Sequence, residues 1–323
     1  MRALICSSLD GIESLTVGEF PSPDLVPGSA RVRVGAAGVN FPDLLVTRGL
    51  YQEQPDLPFA PGMEIAGTVE EVAEDITTVA VGDRVFGYVS HGGYAEQTVV
   101  GAEALYPIPD EMSLDTAAAV PIAYGTSYHA LVDRGALAPG ETLLVLGAAG
   151  GVGMAAVQLG VALGAQVIGA VSSDEKATAV AAAGASEVIR YDQEGLRDGL
   201  KRVAPTGVDV VYDPVGGDMT EAAFRSLAWK GRHLVIGFAA GPIPSLPVNL
   251  ALLKGASLVG VFWGRFTATE PAANRANMTT ITQMWSQGRI DPVVSEVFPL
   301  ERASEALGRI GSRGAVGKLV VNP

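Results

Sequence analysis

The sequence predicts an α/β protein in two parts, an irregular and mostly antiparallel barrel-like β region followed by a doubly wound parallel sheet. Three observations carry this reading. Short β-type runs broken by Gly, Pro and Asp fill the first 120 or so residues. From about residue 140, wholly apolar strand-like runs alternate with helix-like segments. A cluster of glycines separates the first of those runs from the first of those helices.

In the first part, Arg31-Val-Arg-Val-Gly35, the run at 65–72 and Asp83-Arg-Val-Phe-Gly-Tyr-Val89 read as strands, and Pro55, Pro58 and Pro61 punctuate a loop between the first two. In the second part, Thr142-Leu-Leu-Val-Leu146 is apolar throughout, as a parallel strand buried on both faces requires. A helix over 152–163, a strand over 166–171 and an alanine-rich helix over about 174–183 come next. Further strands are expected at 187–189, 208–212, 233–236 and 257–262, then a helix over 274–287 and a closing strand at 318–321. There is no internal repeat and no low-complexity segment.

Composition narrows the function classes. Among 323 residues, 35 acidic side chains face 22 basic ones, and the net charge of −13 repels nucleic acid and anionic membrane. A polyanionic ligand therefore needs a locally basic site or one built from backbone N–H groups. Cys6 is the single cysteine, so neither an intrachain disulfide nor a multi-cysteine zinc site is available. His91, His129 and His233 stand in no ligand spacing, and His129, in an apolar helical stretch, reads as a packed histidine. The N-terminus lacks the apolar run of a signal peptide, and no run approaches the roughly 20 apolar residues of a membrane span, so a cytoplasmic protein is expected.

The sharpest motif is Gly147-Ala-Ala-Gly150-Gly151-Val152-Gly153, between strand and helix. A pyrophosphate approaches a helix N-terminus closely only where side chains are absent, and there the N–H groups and helix dipole bind it. Ala149, Gly150, Gly151, Val152 and Gly153 are accordingly assigned to a dinucleotide. NAD sites place a carboxylate about 20 residues on, at the end of the second strand. Here that position holds Val171, followed by Ser172, Ser173 and Lys176, a set suited to a 2′-phosphate. The expected cofactor is NADPH. Asp174 and Glu175 weigh against this, although N-cap and first-turn duty explains them, and Lys176 also has the plainer reading of a solvated helix lysine.

With these motifs in view, the chain resembles the medium-chain dehydrogenase/reductase superfamily, in its zinc-free quinone oxidoreductase (zeta-crystallin-like) branch. The resemblance covers essentially the whole chain. It rests on Gly38-Val-Asn40-Phe-Pro-Asp43, Arg48-Gly-Leu-Tyr51, Pro61-Gly-Met-Glu64-Ile-Ala-Gly67, Val81-Gly-Asp-Arg-Val-Phe86, Gly92-Gly-Tyr-Ala-Glu96, the glycine turn and Gly317-Lys-Leu-Val. It implies a GroES-like catalytic domain (1–122 and 267–323), a Rossmann NADPH-binding domain (123–266), a cleft between them and a homodimer joined through the Rossmann domains. Zinc-dependent relatives carry cysteine where this chain has Asn40 and Gly-His-Glu where it has Gly62-Met63-Glu64, and amide and thioether are poor zinc ligands. By position, the resemblance assigns cofactor contacts to Asn40, Thr126, the 149–153 turn, Ser173, Lys176 and Tyr191, with Gly237, Phe238, Trp263, Gly264 and Arg265 flanking the nicotinamide half. A surface strand-end tyrosine is the alternative for Tyr191. The chain departs from its relatives at Leu45, where a cofactor-contacting tyrosine is common, and the nearby arginine falls at Arg48.

Hydride transfer to a quinone leaves a delocalised anion that one or two hydrogen-bond donors stabilise, where a simple ketone would call for a metal or strong acid. The candidate donors are the Asn40 amide and the Tyr51 hydroxyl, with structural roles as alternatives for each. Asp43 is expected to cap the following helical turn. Phe41, Phe59 and Trp263 read either as a flat apolar slot or as core. An NADPH-dependent enone reductase and a non-catalytic NADPH-binding or sensing protein remain alternatives. The expected partners are a small quinone or enone and a second copy of the chain, with no nucleic acid and no membrane.

Overall fold

A computed structural model describes residues 1–323. The chain runs β1 (Arg2–Cys6), β2 (Leu15–Glu19), β3 (Ser29–Gly38), α1 (Phe41–Val46), β4 (Glu64–Val72), β5 (Arg84–Tyr88), β6 (Gln97–Gly101), β7 (Leu105–Pro107), α2 (Leu114–Ala118) and α3 (Pro121–Tyr128). It continues through β8 (Thr142–Leu146), α4 (Gly151–Ala162), β9 (Gln166–Val171), α5 (Asp174–Ala182), β10 (Glu187–Arg190), α6 (Leu196–Val203), β11 (Val208–Asp213), α7 (Asp218–Arg225) and β12 (Leu227–Val235). It ends with α8 (Asn249–Lys254), β13 (Ser257–Gly260), α9 (Trp263–Thr269), α10 (Pro271–Ser286), β14 (Val294–Pro299), α11 (Ala303–Gly311) and β15 (Lys318–Asn322). No helix is long and apolar enough to cross a membrane.

Two compact units result, Met1–Ile122 with Pro292–Pro323, and Ala123–Asp291. The first is GroES-like. Its main sheet runs β14-β15-β3-β4-β5-β7, with β6 also on β3, and β1 pairs β2 separately. The pairings are antiparallel except β14 with β15. The ten-residue β3 is its spine, with Ala30, Val32, Val34 and Ala36 buried in alternation. The register of β3 on β4 shifts twice, at Arg31/Val32 and Val34/Ala36, and such bulges bend the ribbon into the irregular shape that broken β-runs anticipate.

The second unit is a Rossmann sheet, wholly parallel, in the order β10-β9-β8-β11-β12-β13. Alternate residues of β8 explain its unbroken apolar run. Leu144 and Leu146 join Ile168, Ile189, Leu196, Leu200 and Phe224 in the core on one face, while Leu143 points at α4. The expected strand over 257–262 stops at Gly260, and helix α9 begins at Trp263. The division between units also differs from the expected boundary at 266/267. Helix α10 stays with the second unit because Met278, Ile281 and Met284 are buried, Asn274 accepts from the Trp263 indole at 3.1 Å, and Asn277 donates to Asp133 at 2.7 Å. Asp133 also meets His129 at 2.8 Å, and His129 stacks on Phe266 at 3.9 Å, so this histidine is packed as expected.

Candidate functional site

In the Rossmann unit the glycine turn links β8 to α4, with Gly150 as N-cap. The first-turn N–H groups of α4 have no intrahelical acceptor, Gly150 offers them no side chain, and the turn holds no acid. A Cβ at Gly153 would sit 2.3 Å from the Gly147 carbonyl oxygen and 2.9 Å from Ala148 Cα, so helix and strand meet too closely for any side chain. A Cβ at Gly150 would find only one neighbour, at 3.5 Å, leaving the approach to the helix end open. Helix α3 braces the turn. Ser127 Oγ lies 3.0 Å from the Val152 carbonyl and 2.9 Å from the Tyr212 hydroxyl. Thr126 is buried on the same helix.

The assigned residues after β9 and β10 come together. Ser173 caps α5, accepting from the Lys176 N–H at 3.3 Å, and Lys176 Nζ lies 3.4 Å from Ser172 Oγ. Tyr191 donates its backbone N–H to the Val171 carbonyl at 3.1 Å, which places the end of β10 beside the end of β9. Asp174 and Glu175 occupy the first turn of α5, the position expected of them.

Gly237 and Phe238 follow β12, and a residue missed in the sequence holds the first of them. Asp213 accepts from the Val215 and Gly216 N–H groups at 2.9 and 2.8 Å, from Thr220 Oγ1 at 2.7 Å and from His233 Nε2 at 3.0 Å. Burial alone would raise its pKa, but His233, the Gly216 N–H and Thr220 outweigh burial and hold the carboxyl below its ordinary value. Its own carbonyl accepts from Gly237 N–H at 3.3 Å. An acid closing an apolar strand and followed by Pro-Val-Gly-Gly is the signal that could have found it. Trp263 is buried with its indole bonded to Asn274, so of slot and core it takes the core, while Arg265 is exposed on α9.

In the GroES-like unit Asn40 precedes α1 and is buried. Its Nδ2 donates to Glu64 Oε1 at 2.7 Å and to the Gly38 carbonyl at 3.3 Å, and its Oδ1 accepts from Lys318 Nζ at 2.8 Å. Both amide hydrogens are engaged within the unit, so as folded Asn40 has no N–H left for an acceptor. Lys318 also bonds Glu64 Oε1 at 2.5 Å and the Val39 carbonyl at 3.0 Å, and Glu64 Oε2 takes the Ile122 N–H at 2.7 Å. Gly38 is compulsory here, because a Cβ would lie 2.3 Å from Glu64 Oε1. Asp43, expected to cap a following turn, instead lies at the third position of α1 and reaches back, its Oδ2 accepting from the N–H of the N-cap Asn40 at 2.8 Å and from the Tyr94 hydroxyl at 2.7 Å. Burial pushes the Asp43 carboxyl up to about 7 against these two hydrogen bonds.

Tyr51 stands after α1, half-buried, and burial raises its hydroxyl pKa, with the charges of Glu53 and Asp43 adding to the effect. Tyr88, which sequence reasoning passed over, senses Tyr51, Glu53 and Asp43, and burial is the main cause of its raised pKa. No group of three or more His, Cys, Asp or Glu residues is placed to hold a metal ion.

The family model described as "Alcohol dehydrogenase GroES-like domain" matches residues 26–110, and that described as "Zinc-binding dehydrogenase" matches 151–277. Quinone oxidoreductase-like protein 2 of Mus musculus is 42% identical over 323 residues, covering 99% of this chain and 92% of that protein. The synaptic vesicle membrane protein VAT-1 homolog of Homo sapiens is 31% identical over 349 residues, covering 100% and 86%. Among solved structures, the quinone oxidoreductase from Thermus thermophilus, described with its NADPH complex, superposes with a TM-score of 0.86 at 34% identity, covering both chains fully. Sequence, sheet order and relatives agree, and the chain belongs to the zinc-free quinone oxidoreductase-like branch of the medium-chain dehydrogenase/reductase superfamily.

Proposed function

We propose that the chain is an NADPH-dependent oxidoreductase that reduces a quinone or similar conjugated carbonyl without zinc. The observation that carries this reading is the side-chain-free N-terminus of α4, with Ser172, Ser173, Lys176 and Tyr191 gathered beyond it and no carboxylate at Val171. Residues 149–153 would hold the pyrophosphate, and Ser173, Lys176 and Tyr191 the 2′-phosphate. Within the Rossmann unit, Thr126, Gly237, Phe238 and the 263–265 segment would border the nicotinamide half. NADPH, when bound, supplies the hydride.

The remaining chemistry falls to this chain's own side chains. The Tyr51 hydroxyl donates to the reduced acceptor oxygen, a contribution of about 10²–10³ in rate at a well-aligned site. Asn40, with its amide engaged by Glu64 and Lys318, holds the β3–α1 turn in place. The acceptor's delocalised anion asks for no more than this. Homodimerisation through the Rossmann unit is proposed from its edge. Strand β13 pairs only β12, Leu258 on it is 53% exposed, and Val248 and Leu252 of the preceding α8 segment are 85% and 81% exposed.

Steady-state NADPH oxidation across a panel of quinones and enones tests the reading. Turnover of quinones is the expected result. Turnover of enones alone would replace the acceptor, and NADPH binding without turnover of any acceptor would overturn the enzyme reading.

A further inference from the structure

Arg190 closes β10, its Cα in register with Val171 of β9, where an NAD-specific site would carry its carboxylate. Its guanidinium donates through Nε and Nη2 to the two carboxylate oxygens of Asp192, at 2.9 and 2.8 Å, and through Nη1 to Asp174. Asp174 directly follows the cap Ser173. Two cations, Arg190 and Lys176, and two hydroxyls, Ser172 and Ser173, therefore meet at the ends of two neighbouring strands. Asp174, Glu175 and Asp192 accompany them.

We infer that Arg190 is a specificity-determining residue that exchanges Asp174 for the 2′-phosphate of the cofactor. The inference rests on the NADPH reading of the same strand ends. The two carboxylate partners of Arg190 are unequal. The Asp192 contact is a two-bond fork, which orients the guanidinium plane. The Asp174 contact is a single bond to a side chain that is 90% exposed, whereas the Arg190 side chain is only 16% exposed. An arriving dianion competes for Nη1, Asp174 turns into solvent, and the Asp192 fork keeps the guanidinium in place. Asp174 is then a built-in competitor of the phosphate. Its removal should tighten phosphate binding, the opposite of what loss of a helix-supporting carboxylate would suggest.

Calorimetric titration of the full chain with adenosine 2′,5′-bisphosphate and, separately, adenosine 5′-monophosphate reads this without turnover. Arg190→Gln should weaken the bisphosphate about tenfold and leave the monophosphate unchanged. Asp174→Asn, at an exposed position that folding tolerates, should strengthen the bisphosphate severalfold and leave the monophosphate alone. Arg190→Gln binding the bisphosphate like wild type, or weakening both ligands equally, overturns the proposal, and so does an Asp174→Asn chain with unchanged bisphosphate affinity. If Lys176→Ala still loses the bisphosphate selectively in those cases, the NADPH reading stands without Arg190. A wild-type chain that does not prefer the bisphosphate overturns both.

Discussion

Two clusters of cations and carboxylates use the same chemistry to opposite ends. In the GroES-like unit, Lys318 and Glu64 are both buried, and every donor of the ammonium has a protein acceptor, at Glu64, Asn40 and the Val39 carbonyl. In the Rossmann unit, Arg190 and Lys176 sit at strand ends, with Asp174 open to water. Burial separates the two. A dry, satisfied pair has no reason to exchange partners and acts as a lock, whereas a half-exposed pair yields to a stronger anion.

The largest expected effect comes from breaking the lock on one side. Lys318→Met leaves Glu64 buried without its cation, and chemical denaturation followed by circular dichroism should show a loss of about 3–5 kcal/mol. Adding Glu64→Gln should restore most of it, because the double variant no longer buries a lone charge. A single variant as stable as wild type would mean that the pair is not a lock.

Asp43 sharpens the comparison through pH. Its folded pKa of about 7 lies above its ordinary value of 3.8, so the folded state holds the proton more tightly. That stabilisation is fully present below pH 3.8 and is lost as pH rises through 7. Asp43→Asn keeps an acceptor for Tyr94 and the Asn40 N–H, and places its amide nitrogen where Asp43 Oδ1 has no partner. The stability of the variant relative to wild type should therefore climb from pH 3.8 to about pH 7 and level off above that, by up to about 4 kcal/mol for a three-unit shift. A difference that stays flat with pH would show that Asp43 titrates normally.

What the sequence makes legible follows the same division. Strands β8 and β9 match their expected bounds because burial on both faces writes an uninterrupted apolar run, and the glycine turn is a local word with a local meaning. The lock is not local. Lys318 and Glu64 are 254 positions apart, and nothing near either residue announces the other. The closing Gly-Lys-Leu-Val pattern marks Lys318 as a family position without revealing its partner. Arg190, a charge at the end of a short strand, looks like any solvated side chain until Asp174 and Val171 are placed beside it. The position of α10 is equally hidden, because its amphipathic pattern says that one face is buried but not against which unit.

A smaller effect is expected where the open cluster meets its ligand. Replacing Lys176 by Ala should raise the Michaelis constant for NADPH about tenfold and leave that for NADH nearly unchanged, since only NADPH carries the phosphate. Val171→Asp should impair NADPH by repulsion and improve NADH through the ribose hydroxyls. Equal impairment with both cofactors would show that Lys176 supports the helix rather than the phosphate.

The smallest expected effect is none at all. A strong chelator should leave activity unchanged, and elemental analysis should find no stoichiometric zinc. The donor set decides this at the two positions where zinc-dependent relatives keep ligands. Met63 offers a buried thioether, a weak partner for zinc. Asn40 offers an amide oxygen already accepting from the Lys318 ammonium at 2.8 Å. A divalent ion brought to that oxygen would have to displace the ammonium or lie against it, and Glu64, the carboxylate that shares that ammonium, is already divided among Lys318, Asn40 and the Ile122 N–H. The lock thus holds its own cation where a metal would need room. About one zinc per chain, removed by chelation together with activity, would contradict the whole arrangement.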